Sequence, residues 1–263
     1  NGDGDIDIAV ANTYSDNFAV LLNDADTSFL APVQYSITRP YDLEAADLNG
    51  DAYPDLVVVN YGNAHAYFND GDGTFTLDST YNMYDNYPNQ VISADLNGDG
   101  ITDFAAANEF MCVFIGTGGG DFQSSADYVC GYEAVSLGIG DVDGDSDLDL
   151  VGGEYNGTVA VMLNNGDGTF PMEPRLTTGT YPGSLCAADF DHDGNQDIAV
   201  TNQSDNDMGV HFGNGDMTFD TPVIYPVGNS AYGIEAVDLD ADTWTDLVVA
   251  DTAVSVYMNN GDG

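Results

Sequence analysis

Lysine is absent from this chain of 263 residues, and arginine occurs only as Arg39 and Arg175, against 45 acidic residues, for a formal net charge of −43. A surface without a basic patch holds neither nucleic acid phosphates nor an anionic membrane. No nucleic acid partner is expected. No run of about 18 apolar residues occurs either, so no membrane insertion is expected. An initiator Met and a signal-peptide pattern are missing, and Asn1-Gly-Asp-Gly4 reads as loop. The expectation is a trimmed piece of a longer chain, truncated at both ends. Cysteine is scarce. Cys112, Cys130 and Cys186 cannot all pair internally, Cys112 and Cys130 would meet across a hairpin only in poor register, and buried free thiols are the expectation. Glutamate is scarce as well, and no segment keeps a helical period over ten residues.

Disorder does not follow from the charge. Hydrophobic residues make up 43% and aromatics 11%, enough for a core. Aspartate in place of glutamate, with 31 glycines, points to turns rather than helices.

The aspartates recur with a period. Asp95-Leu-Asn-Gly-Asp-Gly-Ile-Thr-Asp103 has relatives at 47–55, 141–149, 189–197 and 238–246, and residues 1–7 fit positions three to nine of a sixth copy. The ninth-position aspartates are Asp7, Asp55, Asp103, Asp149, Asp197 and Asp246, spaced by 48, 48, 46, 48 and 49 residues. A short apolar run, often β-branched, follows the ninth Asp, then a second strand such as Val159–Leu163, then a turn such as Asn69-Asp-Gly-Asp-Gly-Thr-Phe75. A third strand is expected to start at that Phe, and a short fourth, such as Ser184–Ala188, to enter the next aspartate motif. Four strands per repeat describe a β-propeller blade, apolar on both faces because neighbouring blades pack face to face. A β-solenoid, the rival, uses shorter repeats. The fold class expected is all-β: one β-propeller domain over 1–263, with six repeats of four-stranded antiparallel blades in a ring of six or seven.

Each loop reads Asp-x-[Asp/Asn]-x-Asp-x-x-x-Asp. Carboxylates at positions one, three, five and nine, with a position-seven carbonyl, form an oxygen ligand set for a hard cation, and calcium suits a flexible loop better than magnesium. An EF-hand would need Glu at position twelve, where this chain has Val58, Ala106, Gly152, Val200 or Val249.

Asp-Leu-Asn-Gly-Asp-Gly, then Asp-Phe-Ala-Ala-Ala-Asn, then Gly-Asp-Gly-Thr-Phe, resembles the FG-GAP/VCBS repeats of integrin α-subunit propellers and many secreted bacterial proteins. The resemblance covers essentially the whole chain. It implies a calcium loop between the first and second strands of each blade, often in a seven-bladed ring. Carried over residue by residue, it implies the ligand sets Asp47, Asn49, Asp51, Asp55; Asp95, Asn97, Asp99, Asp103; Asp141, Asp143, Asp145, Asp149; Asp189, Asp191, Asp193, Asp197; and Asp238, Asp240, Asp242, Asp246. The carbonyls would come from Tyr53, Ile101, Asp147, Asn195 and Trp244, and the partial first copy offers Asn1, Asp3 and Asp7. About five complete Ca2+ loops and a sixth partial one are therefore implied. Position six is Gly100 or Gly194 in two copies but Ala52, Ser146 and Thr243 in others. If it needs positive φ, those loops are strained, and the Thr243 loop is expected to be weakest.

Other features read more plainly. His65 and His211 fall on third strands and His192 inside a loop, with no nucleophile at a recognisable spacing, so no enzyme is expected. Trp244 reads as packing at a loop end. Asn12, Asn60, Asn108 and Asn202, each five residues after a ninth Asp, read as structural turn residues. Asn156 and Asn202 begin N-glycosylation sequons. Tyr35, Tyr41, Tyr81, Tyr84, Tyr87, Tyr128, Tyr132, Tyr181, Tyr225 and Tyr232 gather where one repeat leads into the next. They would either wedge between blades or ring a binding face opposite the aspartate loops.

The function expected is an extracellular or cell-surface, secreted, calcium-stabilised adhesion or binding module for a glycan or a protein, with other copies of itself as a further partner. The alternatives are a structural subunit of an extracellular fibre or surface assembly and, behind it, a non-catalytic domain of a secreted hydrolase.

Overall fold

The computed structural model describes residues 1–24, 28–83, 88–107, 110–129, 133–171 and 175–261. Its strands, in chain order, are β1 (Ile8–Asn12), β2 (Asn17–Leu21), β3 (Val33–Ser36), β4 (Asp42–Ala46), β5 (Asp55–Asn60), β6 (Asn63–Asn69), β7 (Phe75–Asn82), β8 (Gln90–Ala94), β9 (Asp103–Ala107), β10 (Phe110–Phe114), β11 (Gly116–Gly118), β12 (Asp121–Phe122), β13 (Ala126–Val129), β14 (Ala134–Gly140), β15 (Asp149–Glu154), β16 (Thr158–Met162), β17 (Leu176–Thr177), β18 (Pro182–Ala188), β19 (Asp197–Asn202), β20 (Asp207–His211), β21 (Val223–Pro226), β22 (Gly233–Val237), β23 (Asp246–Ala250) and β24 (Val254–Tyr257). Among the described residues the one helix is a 3-10 turn, Thr13–Ser15.

The chain divides into two compact units, Asn1–Asp127 and Tyr128–Gly263. In the first unit the sheets run β1-β2-β3, β4-β5-β6-β7 and β13-β10-β9-β8, with a small β11-β12 ribbon. The unit ends within β13. In the second they run β14-β15-β16-β17, β18-β19-β20-β21 and β22-β23-β24. Apart from β13 beside β10, the described pairings join consecutive strands as antiparallel hairpins, as in β5 against β6, where Leu56 faces Tyr67 and Asn60 faces Asn63. The fold class is the all-β propeller, one blade-type sheet per repeat.

The five sheets with a complete aspartate loop start with the strand before it (β4, β8, β14, β18 and β22), so there the loop joins first and second strands, whereas β1 follows the partial loop at 1–7. The expected strand beginning at the turn Phe forms at Phe75, but Phe170 lies in no strand, and Phe219 makes only an isolated bridge to Gly213, as Phe29 does to Asn23. After Phe29 and Phe219 the edge strand resumes four residues on, at Val33 and Val223.

Burial explains why the central strands are apolar throughout. Every residue of β5 is buried. Leu56 and Val58 join Phe18, Val20 and Tyr67 in one core, while Val57 and Val59 join Phe104, Phe114 and Cys112 in another. In the second unit Ile198 and Val200 of β19 face Val151 and Val161, while Ala199 faces Val210, Ile234 and Leu247. Alternate residues leave a strand on opposite sides, so one strand serves two cores.

The cysteine expectation holds in part. Cys112 is buried, half-buried Cys186 has its thiol pushed up to about 12 by burial, and Cys130 lies outside the described residues.

Candidate metal loops

The ninth aspartate anchors each loop. Asp55, Asp103, Asp149, Asp197 and Asp246 are 0% exposed, each being the first residue of a central strand. One carboxylate oxygen accepts the position-two N–H: Leu48 (3.0 Å), Leu96 (2.8 Å), Val142 (2.8 Å), Phe190 (2.7 Å) and Leu239 (2.9 Å). The other accepts an N–H where the later hairpin turn begins: Asn69, Gly116, Asn164, Gly213 and Asn259, at 2.7–2.8 Å. One side chain thus ties the loop to the turn beside it. Asp7 repeats the pattern with Asn23 N–H, and its second oxygen meets the amino group of Asn1 at 2.9 Å.

The remaining side chains are drawn inward by local backbone bonds. Oδ2 of the first aspartate accepts the position-six N–H at 2.8–3.0 Å in all five complete loops. Position three accepts from position five, and position five from position seven, as in Asp143 to Asp145 to Asp147 (3.2 and 2.9 Å). These bonds need a backbone that turns back on itself twice. Position six has positive φ throughout, at Ala52 (71°), Gly100 (81°), Ser146 (79°), Gly194 (93°) and Thr243 (80°), as the sequence implies. Position four does too, which sequence reading missed: Gly50, Gly98 and Gly144, but also His192 (59°) and Ala241 (64°). The loop at 238–246 holds two non-glycine residues there, at roughly 1 kcal/mol or more each. This is the strain expected of the Thr243 loop.

The product is a tight acidic cluster. In three loops a carboxylate oxygen from each of Asp141, Asp143 and Asp149, of Asp189, Asp191 and Asp197, or of Asp238, Asp240 and Asp246 lies within 4.8 Å of the others. In the loops at 47–55 and 95–103, position three is Asn49 or Asn97, whose amide donates to Asp51 or Asp99 at 3.1 and 3.0 Å. Burial first, and neighbouring carboxylates after the backbone bonds, push Asp149 and Asp197 up to about 6. Asp55 and Asp103 are raised for the same reasons. Asp143 and Asp240 are raised as well, burial first with neighbouring aspartates adding to it.

A hard divalent cation fits this donor set. All donors are oxygens, each loop brings several acidic groups together, and the buried carboxylates of Asp55, Asp103, Asp149 and Asp197 resist ionising without a compensating charge. Asp51, Asp99, Asp145, Asp193 and Asp242 at position five, and the carbonyls of Tyr53, Ile101, Asp147, Asn195 and Trp244, would complete it. The cation would supply positive charge that holds the loop closed.

The position-seven side chains have a second use. A Cβ on the hairpin glycines Gly71, Gly166, Gly215 and Gly261 would meet Tyr53, Asp147, Asn195 and Trp244 at 3.3 Å or less. Each turn is glycine both for its positive φ and for this close approach. Trp244 is the packing residue expected, and its ring also stacks on His192 of the preceding loop (3.9 Å, 12°).

The other polar candidates are built into the frame. His65 bonds Asn60 Oδ1 and Thr80 Oγ1, both at 3.0 Å, and burial lowers its pKa, as it does for His211. Asn60 and Asn202 end the second strands rather than lying in the turn beyond them. Asn60 donates to Thr38 O, and Asn202 accepts from Gly179 N–H. The other members of this set, Asn12 and Asn108, differ in what is visible: Asn12 donates to Asn17 Oδ1, while Asn108 lies outside the described residues. The equivalent Glu154 is fully buried against Arg175 at 2.8 Å.

Tyr35, Tyr81, Tyr128 and Tyr225 prove to be wedges. Tyr35 stacks on Phe18 (4.7 Å) and its hydroxyl accepts Phe75 N–H at the next turn. Tyr81 accepts from Phe122 N–H and donates to Gly120 O, and Tyr128 donates to Gly168 O. Tyr225 packs in the core of the last two sheets. In the fourth repeat Leu176 stands in the tyrosine's place, against Phe219. Tyr41 has Arg39 near its ring, Tyr232 is exposed, and Tyr181 meets Tyr155 edge-on at 4.6 Å. Tyr84, Tyr87 and Tyr132 lie outside the described residues.

Comparison with known proteins agrees with this geometry. No curated protein sequence matches the chain. Its backbone is similar to the crystal structure of BBS1N in complex with ARL6DN, soaked with lead, at 11% identity and a TM-score of 0.72, covering 99% of this chain and 77% of that one. It is also similar to an Agrocybe aegerita lectin described as recognising non-reducing terminal N-acetylglucosamine, at 17% identity and a TM-score of 0.65, covering 98% and 77%. Both likenesses speak to the fold. The model of the FG-GAP-like repeat matches residues 1–58, 47–106, 141–200 and 189–249, and the chain belongs to that family.

Proposed function

We propose that this chain is an extracellular, calcium-stabilised binding module for a protein or a glycan. The observation that carries the reading is the aspartate loop, built five times over with the same backbone bonds and ending in the same buried carboxylate. In this reading calcium stiffens the frame and does no chemistry, and the function is recognition. The partner classes are supported by the fold's company: one similar structure is a complex with ARL6DN and the other is a lectin. An acidic chain without lysine suits a calcium-rich exterior better than a contact with phosphates.

Trp244, the single tryptophan, offers the test, because its carbonyl belongs to the candidate ligands of 238–246. Calcium added to chelator-treated protein should change its fluorescence saturably and raise the melting temperature. An unchanged melting temperature between calcium and chelator would sink the structural-calcium reading.

Self-association is the second reading. It is favoured by exposed apolar residues on edge strands, Val33 on β3, Leu77 on β7, and Val223 and Ile224 on β21. A sedimentation mass that climbs with concentration would favour it, and a constant monomer mass would end it.

A further inference from the structure

The first unit contains a cleft of about 850 Å³ that none of the aspartate loops touches. It opens beside the Tyr61–Gly62 turn between β5 and β6, and is walled by the end of β7, the end of β10 and the residues that lead into β13. Its volume falls within the range of small-molecule sites, roughly 300–1,000 Å³.

The lining is unusual for this chain. Although the net charge is −43, none of the described lining residues is charged. Among the described residues a cation would find no carboxylate there, and an anion would be repelled by the rest of the surface. The walls combine aromatic faces with neutral hydrogen-bonding groups. Tyr81 is a fixed wall: it lies edge-on to Phe114 at 6.0 Å, and its hydroxyl donates to Gly120 O at 3.3 Å. Tyr61 sits at the mouth, 44% exposed, on a turn tied by Asn63 Nδ2 donating to Tyr61 O at 3.1 Å. Asn82 and Ser124 are exposed and Ser125 half-buried; all three line the cleft, and their side chains bond no other described residue.

A purely apolar ligand would leave those hydroxyl and amide groups without partners at a cost of about 1–3 kcal/mol each if desolvated. A ligand with one C–H face and a rim of uncharged hydroxyls satisfies both kinds of wall. We propose that this cleft binds a neutral saccharide, its ring face against Tyr61 and its hydroxyls paired with Asn82, Ser124 and Ser125. The assignment rests on the reading of the chain as a binding module and names one site and one ligand class for it.

The test is calorimetric titration of the full chain, in calcium, with cellobiose, lactose and N,N′-diacetylchitobiose, and with 3′-sialyllactose as the charged counterpart of lactose. At least one neutral disaccharide should bind saturably. Tyr61→Ala and the double change Ser124→Ala/Ser125→Ala should each weaken it at least tenfold, with Tyr61→Phe close to wild type. Should Tyr61→Ala melt early, Asn82→Ala at its exposed position carries the comparison with the serine pair. Absence of binding by all three neutral sugars overturns the cleft assignment, as does binding that ignores the cleft variants or treats sialyllactose and lactose alike. None of these results alters the calcium response at Trp244, so failure of the cleft is distinguishable from failure of the module reading.

Discussion

Removing calcium should turn the usual acid sensitivity of a protein around. Asp149 and Asp197 have native pKa values pushed from 3.8 to about 6 by burial. A carboxyl whose native pKa lies above its unfolded value binds its proton more tightly in the folded chain, so stability falls as pH rises between the two values. The penalty is absent below about pH 4, grows between pH 4 and 6, and is complete above pH 6. At about 1.4 kcal/mol per pH unit, two units amount to about 3 kcal/mol per group, and about half that once solvent around the loop is allowed for. The pair then contributes about 3 kcal/mol of instability at pH 7.5 relative to pH values below about 4. For a chain of this size that is a melting shift of about 6–12 °C, and Asp55 and Asp103 shift in the same direction. Scanning calorimetry on metal-free protein should therefore show a melting temperature that rises on acidification from pH 7.5 towards 5. With calcium present the carboxylates are held ionised, and the trend should reverse. Surface repulsion would also relax on acidification, but 1 M NaCl screens that effect and leaves the buried groups unchanged. A metal-free melting temperature that falls steadily from pH 7.5 to 5 in high salt would refute the reasoning.

Four further outcomes follow from the backbone, the wedges and the sequons. Met217 sits at φ 67° where neighbouring hairpin turns have Gly73 and Gly168, and it is exposed, so Met217→Gly should stabilise the chain by about 1 kcal/mol in urea unfolding. Thr243→Gly should do the same and tighten calcium at 238–246, read as a lower midpoint in the Trp244 titration. Tyr81→Phe removes the hydroxyl that joins Gly120 and Phe122 and should cost about 1 kcal/mol, whereas the same change at exposed Tyr14 should cost nothing measurable. Expressed through a glycosylating secretory route, the protein should carry sugar at exposed Asn156 but not at Asn202, whose buried side chain is engaged by Gly179 and Thr178; peptide mass mapping decides it.

Much of this was legible because the repeat is long and its parts are chemically distinct. The ninth aspartates marked the start of every central strand, since a buried carboxylate before a β-branched run has few other uses. Position six announced its positive φ through Gly100 and Gly194. Position four did not, because His192 and Ala241 interrupt a column of glycines and conceal the rule. The edge strands were misplaced at Phe170, which starts no strand, and at Phe219, where a residue suited to β structure bonds across only once. Tyrosine hydroxyls reaching the next turn were beyond sequence reading: Tyr35 and Phe75 are forty residues apart, and only packing brings them within 3.0 Å. The cleft at Tyr61 had no signal at all, since neutral residues drawn from four segments share no motif.

The double service of β5 and β19 has a consequence for how the chain comes apart. Leu56 and Val57 are adjacent in sequence yet belong to different cores, so a sheet cannot leave without stripping one side from each neighbour. Unfolding within a unit should spread from sheet to sheet rather than stop at a boundary between repeats. The amides of these two strands should then exchange with solvent last, at a rate that reports on the whole unit rather than on the repeat that contains them.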